Sequence, residues 1–143
     1  GFMDDVDIHV EYAAQGAPFL RAFADLGISI THSNDWAVAA VMRKKGVRIG
    51  IDMEKIAKMD MDAFMTVAFS QREQRVLRMA SQEEIFRAWT LKEAFLKYLG
   101  KGFHESLKHV EILGETVMFK KRPVALKLVS RRVCGDYFLS VVY

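Results

Sequence analysis

The feature that most limits the fold is one long helix flanked on both sides by strands. Ser81 followed by Glu84 has the spacing of a capping box, and the helix it opens runs from Gln82 to Leu99 and stops at Gly100. Ahead of it, residues 7–12 alternate apolar and polar, the period of a half-buried strand. Gln15-Gly16-Ala17-Pro18 marks a turn, and Gly27 to His32 reads as a strand with Ile28 and Ile30 on one face. Ser33-Asn34-Asp35 breaks it, Trp36 to Arg43 returns antiparallel, Lys44-Lys45-Gly46 turns, and Val47 to Glu54 is a further strand. Residues 60–80 read as helical in one or two pieces, with Ala63, Phe64, Val67 and Ala68 at helical spacing and Ser70 capping the second piece. Behind the long helix, residues 108–113, 115–120, 124–131 and 136–143 read as strands. Strands, helices, then strands with hairpin-length links predict an α+β fold with antiparallel sheet hairpins packed against a long helix.

Length and composition narrow the class. With 143 residues, including ten Phe, four Tyr and two Trp, the chain has the apolar mass for one compact domain or two small lobes sharing a core. A single cysteine, Cys134, excludes an intrachain disulfide and a multi-cysteine zinc site, and points to a reducing, cytoplasmic setting. The longest apolar run, Trp36 to Met42, is far short of the ~20 residues a spanning helix needs, so no membrane partner is expected. No signal peptide opens the sequence, and the leading Gly1-Phe2 leaves room for a native segment ahead of it. A net charge of +3 suits an anionic partner but is too weak to imply nucleic acid. A faint repeat relates Asp35 to Val41 with Asp136 to Val142: a turn Asp, an aromatic, then a buried strand. Two related lobes, the first one short, or two unrelated hairpins both produce it.

The strand Ile49-Gly50-Ile51-Asp52-Met53-Glu54 carries the most chemical information. Alternation puts Ile49, Ile51 and Met53 on one face, buried, and Gly50, Asp52 and Glu54 on the other. Carboxylates two positions apart have Cβ atoms roughly 7 Å apart, within joint reach of one divalent cation. Oxygen donors without a Cys or His cluster favour Mg²⁺ or Mn²⁺ over zinc. Gly50 would leave room for a bulky ligand beside the backbone. A strand with a merely wet outer face gives the same pattern. On the long helix, Ile85, Trp89, Leu96 and Leu99 form an apolar stripe, with Glu93 beside it and Lys97 one turn on. These are either a surface ion pair or a third metal ligand followed by a phosphate-holding lysine. Gly100-Lys101-Gly102 is a flexible basic loop, and Thr31-His32-Ser33 is either a self-capped turn or a phosphate grip. No P-loop and no G-x-G-x-x-G is present.

Three stretches in this order, Ile28-Ser29-Ile30-Thr31-His32-Ser33, Ile49 to Glu54, and Trp89-Thr90-Leu91-Lys92-Glu93-Ala94-Phe95-Leu96-Lys97, resemble the three motifs of the 4′-phosphopantetheinyl transferases, most closely the Sfp-type branch. Phe69-Ser70-Gln71-Arg72-Glu73 resembles the segment between the second and third motifs, and the resemblance runs from about residue 8 to the end. It implies transfer of the phosphopantetheine arm of coenzyme A to a serine of an acyl or peptidyl carrier protein, with adenosine 3′,5′-bisphosphate as the other product. By the same similarity Asp52, Glu54 and Glu93 bind Mg²⁺ with the CoA pyrophosphate. Glu93 acts as or positions the base, Lys97 neutralises the pyrophosphate with Lys92 as a helper, and Thr31, His32 and Ser33 contact CoA phosphates.

The chain departs from that family at three places. Thr31 replaces the usual serine, and Gly16-Ala17-Pro18 lacks the basic residue of the common G-K-P or G-R-P element. Only about 50 residues precede Glu54, so residues 1–46 read as a partial first lobe and residues 47–143 as the second lobe carrying the metal site. Self-association is implied, because the single-lobe branch of the family forms trimers with sites between subunits. The carrier is expected to be acidic and to dock on Arg72, Arg75 and Arg78 near Met59, Met61, Phe64, Met65 and Phe69, unless that is a solvated face over core methionines. A non-catalytic CoA-binding or assembly module of the same fold is the second reading. A basic nucleic-acid-binding domain is the third, disfavoured because the notable polar cluster is acidic.

Overall fold

The computed structural model describes residues 8–100 and 105–143. Strands β1 (Val10–Tyr12) and β2 (Pro18–Leu20) pair antiparallel, then β3 (Gly27–Ser33) and β4 (Trp36–Met42) form a hairpin. Strand β5 (Gly50–Lys55) follows, then helices α1 (Met61–Ala68), α2 (Gln71–Leu77) and α3 (Gln82–Leu99). Strands β6 (Val110–Leu113), β7 (Thr116–Phe119) and β8 (Arg122–Val124) make an antiparallel meander. Strands β9 (Leu128–Val133) and β10 (Tyr137–Val142) complete the chain, with β10 pairing antiparallel to both β9 and β5. The α+β expectation stands. No helix among the described residues is long and apolar enough to cross a membrane.

The local signals explain most boundaries. Asp60 accepts the Ala63 amide to open α1, while Ser70–Glu73 and Ser81–Glu84 form complete capping boxes at α2 and α3. Gly100 closes α3 in the left-handed region, φ 68°, which costs glycine little. Helix α3 lies over β5 and β10 and fills the core with Leu91, Ala94 and Phe95, packed with Phe69, Val110, Ile112, Val117 and Val142.

Four details differ from the sequence reading. Pro18 begins β2 rather than ending a turn; proline is tolerated at a strand's first position. The expected strand over 124–131 is two strands, because the chain leaves the β7–β8 meander after Val124 and enters β9 at Leu128. On α1 the inward face is Phe64, Met65 and Ala68, while Val67 is exposed. On β3 the buried face is Ser29, Thr31 and Ser33; Ile28 and Ile30 are only half-buried. A period of two defines two faces but not which one meets the core. The Lys101-Gly102 part of the basic loop and Asp7 of the first expected strand lie outside the described residues.

Candidate functional site

The site lies where β5 meets α3. Gly50, Asp52 and Glu54 face the helix, and a β-carbon on Gly50 would overlap the Ala94 carbonyl oxygen and stand 2.5 Å from the Tyr98 amide nitrogen. The room at Gly50 is therefore occupied by the α3 backbone, not left for a ligand. This close approach brings Asp52 beside Lys97, whose Nζ lies 2.9 Å from Asp52 Oδ1. Glu93, one turn earlier on α3, shares the same electrostatic neighbourhood.

The charges oppose one another. Burial, followed by the Asp52 charge, pushes Glu93 up to about 7, with Lys97 pulling it back. Burial also raises Glu54, helped by Asp52. Asp52 is raised by burial against the pull of Lys97 and a hydrogen bond from Thr31. Among the described residues, Asp52 Oδ2 is buried without a hydrogen-bond partner. An orphaned carboxylate oxygen beside two acids that resist ionising marks a place short of positive charge. The donor set, all carboxylate, suits a hard cation such as Mg²⁺ or Mn²⁺. Among the described residues, no three acid, histidine or cysteine side chains stand close enough together to hold an ion. Asp52, Glu54 and Glu93 fit a divalent cation by donor chemistry and charge, not by a preformed cage.

Two cavities adjoin this point, and Lys97 borders both. The smaller, about 250 Å³, is walled by His32, Ile30 and Lys97, with Tyr12 and the Gly16–Pro18 turn on the other side. The larger, about 760 Å³, is lined by apolar Val67, Trp89, Leu96 and Leu107 together with charged Glu93, Lys97, Glu105 and Lys108. Of the Thr31-His32-Ser33 trio only His32 is exposed. Thr31 and Ser33 are buried, 4% and 8% exposed, against β5.

Lys92 is not in the site. No part of the Lys92 side chain, expected as a helper in CoA binding, is exposed, and Nζ sits 2.5 Å from Glu73 Oε2. Glu73 also accepts the Ser70 amide and, through Oε1, the Ile112 amide, so one buried pair ties α2, α3 and β6 together. Burial lowers the Lys92 ammonium below the usual lysine range against the pull of Glu73. Lys92 and Lys97 are five residues apart on α3 and so point to different sides of the helix. The Trp89–Leu107 wall was missed because its members are spread over three elements.

The model of the 4′-phosphopantetheinyl transferase superfamily matches residues 48–132. The chain belongs to the 4′-phosphopantetheinyl transferase superfamily. Its relatives include the 4′-phosphopantetheinyl transferase psf-1 of Bacillus pumilus, 35% identical over 101 residues, spanning 68% of this chain and 42% of that protein. The 4′-phosphopantetheinyl transferase gsp of Aneurinibacillus migulanus is 30% identical over 121 residues, 78% of this chain and 48% of its own. HetI of Nostoc, another 4′-phosphopantetheinyl transferase, is 34% identical over 113 residues, 73% of this chain and 46% of its own. The chain thus spans less than half the length of these superfamily members. The fold is shared with a crystal structure of a holo-(acyl-carrier-protein) synthase from Bacillus anthracis in complex with CoA (3′,5′-ADP), at TM-score 0.53 and 20% identity, covering 67% of this chain and 93% of that one.

Proposed function

We propose that the chain carries the catalytic half of a Mg²⁺-dependent enzyme that moves the 4′-phosphopantetheine group of coenzyme A onto a serine of an acyl or peptidyl carrier protein. The observation that carries this is the buried, partnerless Asp52 Oδ2 beside Glu54, Glu93 and Lys97. Asp52, Glu54 and Glu93 would hold the cation, with Mn²⁺ as a substitute. When bound, the ion neutralises pyrophosphate oxygens, which phosphoryl transfer needs more than covalent help.

The chain's own residues supply the rest. Lys97, between the two cavities, offers its ammonium to the pyrophosphate, and His32 offers its ring to a further phosphate in the smaller cavity. The apolar wall of the larger cavity suits the pantetheine arm. The serine hydroxyl forms a bond to the β-phosphorus as the bond to adenosine 3′,5′-bisphosphate breaks, and its proton goes to a base. Glu93, which lines the larger cavity with Lys97, would take that proton or position the base that does. Residues 1–46 are a partial first lobe, and residues 47–143 the second lobe carrying the metal ligands. Arg72 and Arg75 on α2 and Arg78 just past its end are exposed, as is Met59, and suit docking of an acidic carrier, whereas Phe69 is buried and Met61, Phe64 and Met65 pack against the core.

Incubation with CoA, Mg²⁺ and an apo carrier protein tests this, read by mass spectrometry as gain of phosphopantetheine. Modification that EDTA abolishes is expected, with severe loss in Asp52→Ala and Glu93→Ala. Robust turnover by both variants refutes the site. CoA binding without turnover on any carrier favours a non-catalytic CoA-binding module.

A further inference from the structure

Among the described residues, strand β5 pairs with β10 along one edge, and its other edge meets no strand backbone. Its amides go instead to side-chain hydroxyls of β3: Ile51 N to Ser29 Oγ at 3.0 Å, Met53 N to Thr31 Oγ1 at 3.2 Å, and Lys55 N to Ser33 Oγ at 3.1 Å. Both strands have a period of two, so three hydroxyls meet three outward amides in register. Without them, buried amides would lack acceptors.

The hydroxyls also have protons to give. Thr31 Oγ1 donates to Asp52 Oδ1 at 3.3 Å, and Ser33 Oγ donates to Glu54 Oε2 at 3.5 Å. Ser29 stands opposite the start of the strand, where Gly50 has no side chain to receive one. Thr31 and Ser33 are too buried, and too fully engaged, to face a ligand directly.

We propose that Thr31 and Ser33 are positioning residues, each clamping the β5 backbone through its oxygen and aiming the adjacent metal-binding carboxylate through its proton. This inference rests on the proposed metal site. It moves these two side chains from contacting CoA to orienting Asp52 and Glu54, and leaves His32 as the only member of the trio turned toward phosphate. Outer-shell hydrogen bonds of this type commonly change metal affinity about 10- to 100-fold.

Thr31→Val keeps the shape and loses the hydroxyl, whereas Thr31→Ser keeps the hydroxyl. Two readouts are taken on the whole chain without CoA: Mn²⁺ affinity by calorimetry, and amide exchange at Met53. Thr31→Val is expected to bind Mn²⁺ about tenfold or more weakly and to exchange Met53 about tenfold or more faster, with both restored in Thr31→Ser. Ser33→Ala, read at Lys55, carries the test if Thr31→Val does not fold. A folded Thr31→Val with unchanged Mn²⁺ affinity and unchanged exchange overturns the proposal. So does weaker CoA binding in chelator with Met53 exchange unchanged, which would mean direct phosphate contact. Wild-type protein that takes up no Mn²⁺ refutes the metal site itself; the clamp is then decided by Met53 exchange, faster supporting it and unchanged overturning it.

Discussion

Glu93→Gln should make the metal-free protein more stable at neutral and alkaline pH. The Glu93 carboxyl is raised from 4.5 to about 7, first by burial and then by Asp52. The native state therefore binds this proton more tightly than the unfolded chain. Stability is full below pH 4.5 and is lost as pH rises through 7, because the native state must then hold an ion that it disfavours. A gap from 4.5 to about 7, at 1.36 kcal/mol per pH unit, is worth about 3 kcal/mol. For a chain of this size that is roughly 10 °C in melting temperature. The assay is thermal or urea unfolding of both proteins in EDTA between pH 4.5 and 8.5. The curves should coincide near pH 4.5 and separate progressively to pH 8, the variant being more stable. Added Mn²⁺ should stabilise wild type at pH 8 far more than Glu93→Gln. A variant less stable than wild type at pH 8, or a separation that does not grow with pH, would refute the view that Glu93 is held against its own charge.

Two further substitutions separate scaffold from site. Gly50→Ala places a β-carbon against two α3 backbone groups that have no rotamer to yield, so a loss of about 3 kcal/mol or more is expected in urea unfolding; a near-neutral result would mean β5 and α3 are not packed this closely. Lys92→Met leaves Glu73 buried without its cation and should cost about 3–5 kcal/mol. Adding Glu73→Gln to Lys92→Met should recover part of that loss, whereas normal stability with weakened CoA binding in Lys92→Met would return Lys92 to the ligand site.

Much of the fold was legible because its signals are local. Both capping boxes, at Ser70–Glu73 and Ser81–Glu84, announce helix starts within four residues, and Gly100 announces the end. The hairpins read correctly where a turn residue stands between two alternating runs, as at Asn34 and Gly114. What did not read was tertiary. Lys92 and Lys97 are both lysines of one helix, yet one is sealed on Glu73 and the other stands at the junction of two cavities. The difference is set by α2 and β6 on one side and β5 on the other. Likewise the glycine of β5 shows its purpose only once α3 lies across it.

Strand β3 shows what alternation leaves open. Alternation puts Ile28 and Ile30 on one face without saying which face is inner, and the chain turns Ser29, Thr31 and Ser33 inward. Burying three hydroxyls is favourable here only because β5 presents three amides without a strand partner, and each hydroxyl replaces the missing carbonyl. A paired strand would satisfy those amides equally well, but its carbonyls have no proton to offer a carboxylate. Hydroxyls can do both. The alternation of Ser, Thr and Ser opposite Gly, Asp and Glu is thus a sequence signal in its own right, visible only when the two strands are read against each other. It couples the element that closes the sheet edge to the acids of the site, so loss of either hydroxyl is felt at both.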